Sequence, residues 1–174
     1  MKKKTTLELH RTDAAQYALT PKLPLTVVLD NIRSEQNIGN IFRTADAFTI
    51  ERILLCGICA TPPAVEIHKT ALGAEQAVAW EYFPTTGEAV SRLLDEGYQV
   101  LAVEQVHGSV ALNAFRPEAR TKYAIVLGNE VKGVDQSVVD RCHACLEIPQ
   151  RGTKHSLNVA NTASIVMWHF FAAE

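Results

Sequence analysis

The run Leu25-Thr26-Val27-Val28-Leu29-Asp30, followed by Asn31-Ile32-Arg33-Ser34-Glu35-Gln36-Asn37-Ile38-Gly39-Asn40-Ile41-Phe42-Arg43-Thr44-Ala45, decides the fold class. Thr26 to Leu29 is continuously apolar or β-branched rather than alternating, the pattern of a strand covered on both faces. The polar, Gly-marked stretch after it passes into helical periodicity from Asn37 to Phe48. Ala124-Ile125-Val126-Leu127 repeats the strand pattern and runs into Gly128-Asn129-Glu130. Strands of this kind, separated by amphipathic stretches, predict an α/β domain built on a mostly parallel sheet. Working outward, strands are expected at Leu25 to Asp30, Arg52 to Gly57, Val78 to Phe83, Tyr98 to Glu104, Tyr123 to Gly128 and Leu146 to Pro149. Helices are expected at Asn37 to Phe48, Glu66 to Ala71, Gly87 to Glu96, Asp135 to His143 and Ser156 to Ala173; the last is apolar on several faces and should be buried against a partner.

At 174 residues the chain has room for one domain, and roughly 70% of the unfolded surface of such a chain can be buried without disulfides or structural metal. No apolar run approaches the roughly 18 residues of a membrane span. Met1-Lys2-Lys3-Lys4 leads into Thr5-Thr6-Leu7-Glu8 rather than an apolar signal core, so a soluble cytoplasmic protein is expected. The net charge of -2 announces no nucleic-acid partner, yet residues 1 to 24 carry +3 and the remainder -5. A basic N-terminal extension (1–24) ahead of a single domain (25–174) follows, and any RNA contact must be a local patch or that arm. The cysteines form two Cys-x-x-Cys pairs, Cys56/Cys59 and Cys142/Cys145, but both adjoin apolar runs and lie much further apart than the roughly 15 to 20 residues of a zinc ribbon. They read as buried thiols, and no metal is expected.

In parallel sheets ligands bind beyond the carboxyl ends of the strands. Four such segments are polar and mostly Gly-marked: Asp30 to Ala45, Val103-Glu104-Gln105, Leu127 to Val134, and Ile148-Pro149-Gln150-Arg151-Gly152-Thr153-Lys154-His155-Ser156-Leu157-Asn158-Val159. There is no Gly-x-Gly, no phosphate loop, no His-Glu-x-x-His and no Gly-x-Ser-x-Gly, so dinucleotide folds, P-loop enzymes, zincins and the common hydrolase elbow lose their support.

Three of these segments together resemble the SpoU/TrmH family of the SPOUT class, S-adenosylmethionine-dependent RNA ribose 2'-O-methyltransferases. The matching residues are Asn37 to Ala45, Ile125-Val126-Leu127-Gly128-Asn129-Glu130 to Gly133, and Ile148-Pro149 with Ser156-Leu157-Asn158-Val159, within a likeness covering about residues 25 to 171. Asn40 and Asn161-Thr162 depart from the usual pattern without touching its polar positions. The resemblance implies a trefoil-knotted α/β fold, which periodicity alone does not give, since knots are essentially absent among folds at large. It also implies that S-adenosyl-L-methionine is held bent, with adenine read by main-chain groups of Val103, Glu104, Gln105, Leu127, Gly128 and the stretch from Ile148 to Leu157.

A ribose 2'-hydroxyl is a weak nucleophile, so methyl transfer needs alignment and help with the proton or the oxyanion. Arg43, Asn129, Glu130, Ser156 and Asn158 are the candidates. The family's arginine, matched by Arg43, is often given the role of base, but a guanidinium stays protonated, so a phosphate clamp or oxyanion stabiliser is the better reading. Glu130 is expected to take the proton or to hold Arg43 and Asn129; Ser156 and Asn158 to bond the ribose or cofactor, with Ser156 also capping the last helix. Arg33, Asn37, Arg151 and Lys154 are the RNA-contact candidates, while His68 and Lys69 stay open between helix end and substrate contact. The surplus of apolar residues among Val159, Ile165, Val166, Met167, Trp168, Phe170 and Phe171 predicts a homodimer. Transfer RNA is favoured over ribosomal RNA because the arm is too short for a separate RNA-binding domain. The competing function is a catalytically silent RNA-binding subunit of the same fold.

Overall fold

The computed structural model describes residues 1–5, 8 and 14–174. The elements, in chain order, are α1 (Ala14–Leu19), β1 (Leu23–Asp30), α2 (Glu35–Ala47), β2 (Ile50–Cys56), α3 (Val65–Ala71), α4 (Ala74–Ala77), β3 (Ala79–Phe83), α5 (Thr86–Asp95), β4 (Gln99–Val103), β5 (Val110–Ala111), β6 (Tyr123–Leu127), α6 (Gln136–Val139), β7 (Ala144–Glu147) and α7 (Val159–Phe171). The strands form one sheet in the order β3-β2-β1-β6-β4-β7-β5, with every pairing parallel.

Double coverage follows from side-chain alternation along the central strands. Val27 and Leu29 of β1 and Ile125 and Leu127 of β6 pack with Ile38, Ile41 and Phe42 of α2, Ile67 of α3 and Val166 and Met167 of α7. Val28 and Val126 face the other way, onto Ala89, Val90 and Leu93 of α5 and Val138 of α6. Each of these buried aliphatic side chains contributes roughly 1.5–3 kcal/mol by leaving water, so both layers are driven by the same runs that mark the strands.

Gly39 sets how closely the first layer packs. A Cβ there would sit 2.4 Å from the Ile67 carbonyl oxygen, so only glycine lets α2 and α3 cross at this distance. Ser34 starts α2 by accepting the Asn37 N–H at 3.2 Å.

Several expectations need correction. A seventh strand, β5, is present; it is two residues long and lacks the apolar run by which the others are read. The helix expected over Asp135 to His143 is one turn, α6, because the chain then rejoins the sheet beside β4, with His143 N–H donating to Val100 O at 2.8 Å. Ser156 caps nothing. Asn158 is the N-cap of α7, its side chain accepting from Ala160 N at 2.9 Å and Asn161 N at 3.4 Å, since it alone stands within reach of the first free amides.

Of the first 24 residues, Lys2, Lys3 and Lys4 are exposed and Arg11 lies outside the described residues, while Tyr17 and Leu23 are buried in the core of the domain. The four cysteines are free, three buried and Cys142 half-buried, and burial pushes the thiols of Cys56 up to about 12 and of Cys59 and Cys142 up to about 11. Among the described residues no helix is long and apolar enough to cross a membrane, and no group of three or more His, Cys, Asp or Glu is placed to hold a metal ion.

Candidate active site

Three loops meet beyond the carboxyl edge of the sheet: 31–34 after β1, 128–135 after β6 and 148–158 after β7. The middle loop is closed on itself by Asn129 N–H to Gly133 O at 3.0 Å and Gly133 N–H to Asn129 O at 2.9 Å. Gly128 makes this closure possible, because a Cβ there would lie 2.1 Å from the Gly133 carbonyl carbon and the Val134 nitrogen. The Asn129 side chain is a staple: its Oδ1 accepts from Val131 N at 3.0 Å and Lys132 N at 3.1 Å, and its Nδ2 donates to Asn31 O at 2.7 Å. Glu104 supports the loop from beneath, accepting Val134 N–H at 3.0 Å.

Glu130 joins this loop to the first one. Its carboxylate accepts from Arg33 N and Ser34 N, both at 3.0 Å, and from Asn37 Nδ2 at 3.1 Å. Asn37 Oδ1 accepts in turn from Asn158 Nδ2 at 3.1 Å. Asn158, Asn37 and Glu130 therefore form a relay with one member from each of the three matching segments. Burial pushes the Glu130 carboxyl up, but the N–H donors of Arg33, of Glu130 itself and of Ser34, with the Asn37 amide, outweigh it and leave it below the ordinary carboxylate range. A carboxylate so occupied is a poor proton acceptor. Among the described residues it bonds neither Arg43 nor the Asn129 side chain, so its contacts are with the start of α2.

Two concavities flank Asn158. One is a cavity of about 650 Å³ lined by Val103, Glu104, Gln105, Leu127, Gly128, Ile148 and Leu157, together with Asn129, Glu130, Ser156 and Asn158. Two of its walls are linked by Gln105 Nε2 donating to His155 O at 2.8 Å. His155, within the expected stretch, lines it too, as do Lys132 and Val134; the sequence reading leaves those last two out of the cofactor set, although both lie within a segment it singles out. The other is a groove of about 1250 Å³ that includes Asn37, Asn40, Arg43, Thr44, Leu72, Gly73, Asn158 and Ser164. Arg43 is exposed there and makes no hydrogen bond or ion pair among the described residues, leaving its guanidinium available to a ligand.

The structure does not gather every candidate. Arg33, Arg151 and Lys154 are exposed and line neither concavity. Ser156 lines the cavity without a hydrogen bond among the described residues. His68 Nδ1 pairs with buried Glu75, whose carboxylate also accepts Gly73 N–H at 3.0 Å, so this pair braces the Leu72-Gly73 turn at the edge of the groove. Lys69 is paired with Glu66.

Residues 24–168 match the model of the SpoU rRNA Methylase family. The chain belongs to the SpoU family. A Staphylococcus aureus (strain COL) protein named for the TrmH family of tRNA/rRNA methyltransferases is 30% identical over 148 residues, covering 84% of this chain and 58% of its own. The chain thus spans somewhat under two thirds of the curated relatives it matches, 59% of the length of another Staphylococcus aureus protein of the same name. Among solved structures, an AdoMet-bound rRNA methyltransferase from Sinorhizobium meliloti is 26% identical with a TM-score of 0.78, over 86% of this chain and 59% of that one. A TrmH/SpoU tRNA modifying enzyme from A. aeolicus, at 23% identity and a TM-score of 0.80 over 90% of this chain and 79% of that one, shares the fold. The SpoU match spans all three segments joined by the Asn37, Glu130 and Asn158 relay.

Proposed function

We propose that the protein is an S-adenosylmethionine-dependent RNA methyltransferase whose acceptor is a ribose 2'-hydroxyl in structured RNA. One observation carries this reading: Asn158 lines both the cavity and the groove, so a methyl donor in the first and a ribose in the second would meet at that side chain, with the Arg43 guanidinium on the groove side. The cavity fits the cofactor, having the volume of a small-molecule site and a lining drawn from the loops after β4, β6 and β7. Val103 to Gln105, Leu127 to Gly128 and Ile148 to Leu157 would hold it, and once bound it supplies an electrophilic methyl group.

The chain's own residues do the rest by positioning and charge. Arg43 clamps an RNA phosphate and stabilises negative charge developing on the ribose oxygen. Asn158 orients the reacting groups while its Oδ1 caps α7 and its Nδ2 rests on Asn37. Glu130 fixes the relay, and the hydroxyl proton passes to an RNA phosphate or to water. Arg33, Arg151 and Lys154, exposed around these loops, extend phosphate contact beyond the groove. A second copy of the chain covers Phe48, Trp168 and Phe171, which stack with ring centroids 5.1 to 5.8 Å apart while Trp168 stays 54% exposed. The knotted course of the C-terminal segment belongs to the same reading.

The test is incubation with transfer RNA, and separately ribosomal RNA, and methyl-labelled cofactor, followed by nucleoside analysis. The label should appear in 2'-O-methylnucleosides of one of the two RNAs, transfer RNA being the favoured arm. Label confined to methylated bases would overturn the ribose assignment, and RNA binding without cofactor binding would replace the enzyme by a silent RNA-binding subunit.

A further inference from the structure

Asp30, the last residue of β1, is 2% exposed, and the site described above makes no use of its carboxylate. Three donors from three parts of the fold converge on it: Asn31 Nδ2 at 2.8 Å, the Thr86 hydroxyl at the start of α5, and the Asp135 backbone N–H at 3.0 Å. Asp135 ends the 128–135 loop, whose other end is tied to Asn31 O by Asn129. Asn31 itself holds a left-handed backbone conformation at φ 56°, with its Oδ1 accepting Ile58 N–H at 3.2 Å. A Cβ on residue 57 would sit 2.1 Å from that Oδ1, so Gly57 keeps space for the asparagine.

We infer that Asp30 is a positioning residue for methyl transfer, acting with Asn31 as a clamp that fixes both ends of the 128–135 loop and thereby the shape of the cofactor cavity. Asp30 touches no reacting atom; it grips the loop at Asp135 while Asn31 grips it at Asn129. A buried carboxylate with all its donors in place costs little, whereas replacing one oxygen by a donor leaves two donors facing each other out of reach of water. In Asp30→Asn the amide nitrogen must face either the Asp135 N–H or the Asn31 amide. Facing Asp135 it frees that end of the loop; facing Asn31 it frees the side chain that holds the Asn31 backbone, whose carbonyl accepts from Asn129. The inference rests on the reading of the 650 Å³ cavity as the cofactor site.

The experiment compares wild type, Asp30→Asn and Thr86→Val by steady-state methyl transfer, thermal unfolding and segment-resolved hydrogen exchange. Thr86→Val removes a donor to the same carboxylate from the α5 side and leaves the loop attachments in place. Asp30→Asn should raise KM for S-adenosylmethionine about tenfold, leave KM for RNA within about twofold and accelerate exchange over residues 129–135 but not over β1. Thr86→Val should lower Tm and leave the cofactor KM within about twofold. Equal cofactor KM in wild type and Asp30→Asn, or KM changes that track Tm in both variants, would overturn the inference. Should Asp30→Asn not fold, Asp135→Pro removes the N–H that Asp30 accepts at a backbone φ of -57° that proline adopts, and it should show the same KM split; its absence overturns the clamp. A wild-type protein that binds no cofactor would instead overturn the cavity assignment, and this inference with it.

Discussion

Glu130 accepts three hydrogen bonds from the start of α2, and that fixes how it responds to acid. Its folded pKa lies below the ordinary 4.5, so the unfolded chain binds the proton more tightly. Its contribution to stability is therefore present above the ordinary value and lost as pH falls through the lowered one. In Glu130→Gln that share is missing, so the urea midpoint followed from about pH 6 to about pH 3 should fall less steeply than in wild type. A parallel decline in the two proteins would show that Glu130 carries no such share. Asn158 works through both ends of its amide, capping α7 and reaching Asn37. Asn158→Ala should cost about 1 kcal/mol of stability from the lost cap and should weaken both cofactor binding and methyl transfer, as calorimetry and a turnover assay will show. Residue types at these positions were legible in the sequence, but their partners were not. Asn37 and Glu130 stand 93 residues apart and Asn37 and Asn158 stand 121 apart, and no local pattern says which donor meets which acceptor across three loops.

Elements were legible in proportion to how much apolar sequence they bury. β1 and β6, central and covered on both faces, announce themselves by unbroken runs, and their parallel pairing follows from that coverage. β5 buries little and pairs at the sheet edge, and α6 is cut to one turn by a backbone bond to β4, neither of which leaves a periodic trace. Two glycines test the element packing. Gly128→Ala would drive a methyl into backbone 2.1 Å away, so the 128–135 loop should open and cofactor affinity fall at least about tenfold while the sheet's circular dichroism persists. Gly39→Ala meets the Ile67 carbonyl oxygen at 2.4 Å and should separate α2 from α3, costing about 1–3 kcal/mol in chemical denaturation.

The whole molecule carries -2 at neutral pH, so an RNA partner must be held by particular cations rather than by a general field. Apolar exposure at Trp168 and Phe171 sits at the far end of α7 from Asn158, and at Ile165 midway along it, where a second copy would cover it. Sedimentation should give a mass near twice 19.1 kDa, and a monomer at every concentration would contradict that arrangement. Two concavities that share Asn158 divide the labour between them. Arg43 belongs to the groove alone, with no bond to the loops that line the cavity, so its removal separates the two functions. The most direct measurement is the S-adenosylmethionine affinity of Arg43→Ala by calorimetry beside its single-turnover rate of methyl transfer to RNA. The predicted result is an affinity within about twofold of wild type and a rate reduced at least about 100-fold; cofactor affinity falling in step with the rate, or a rate left intact, would contradict the account.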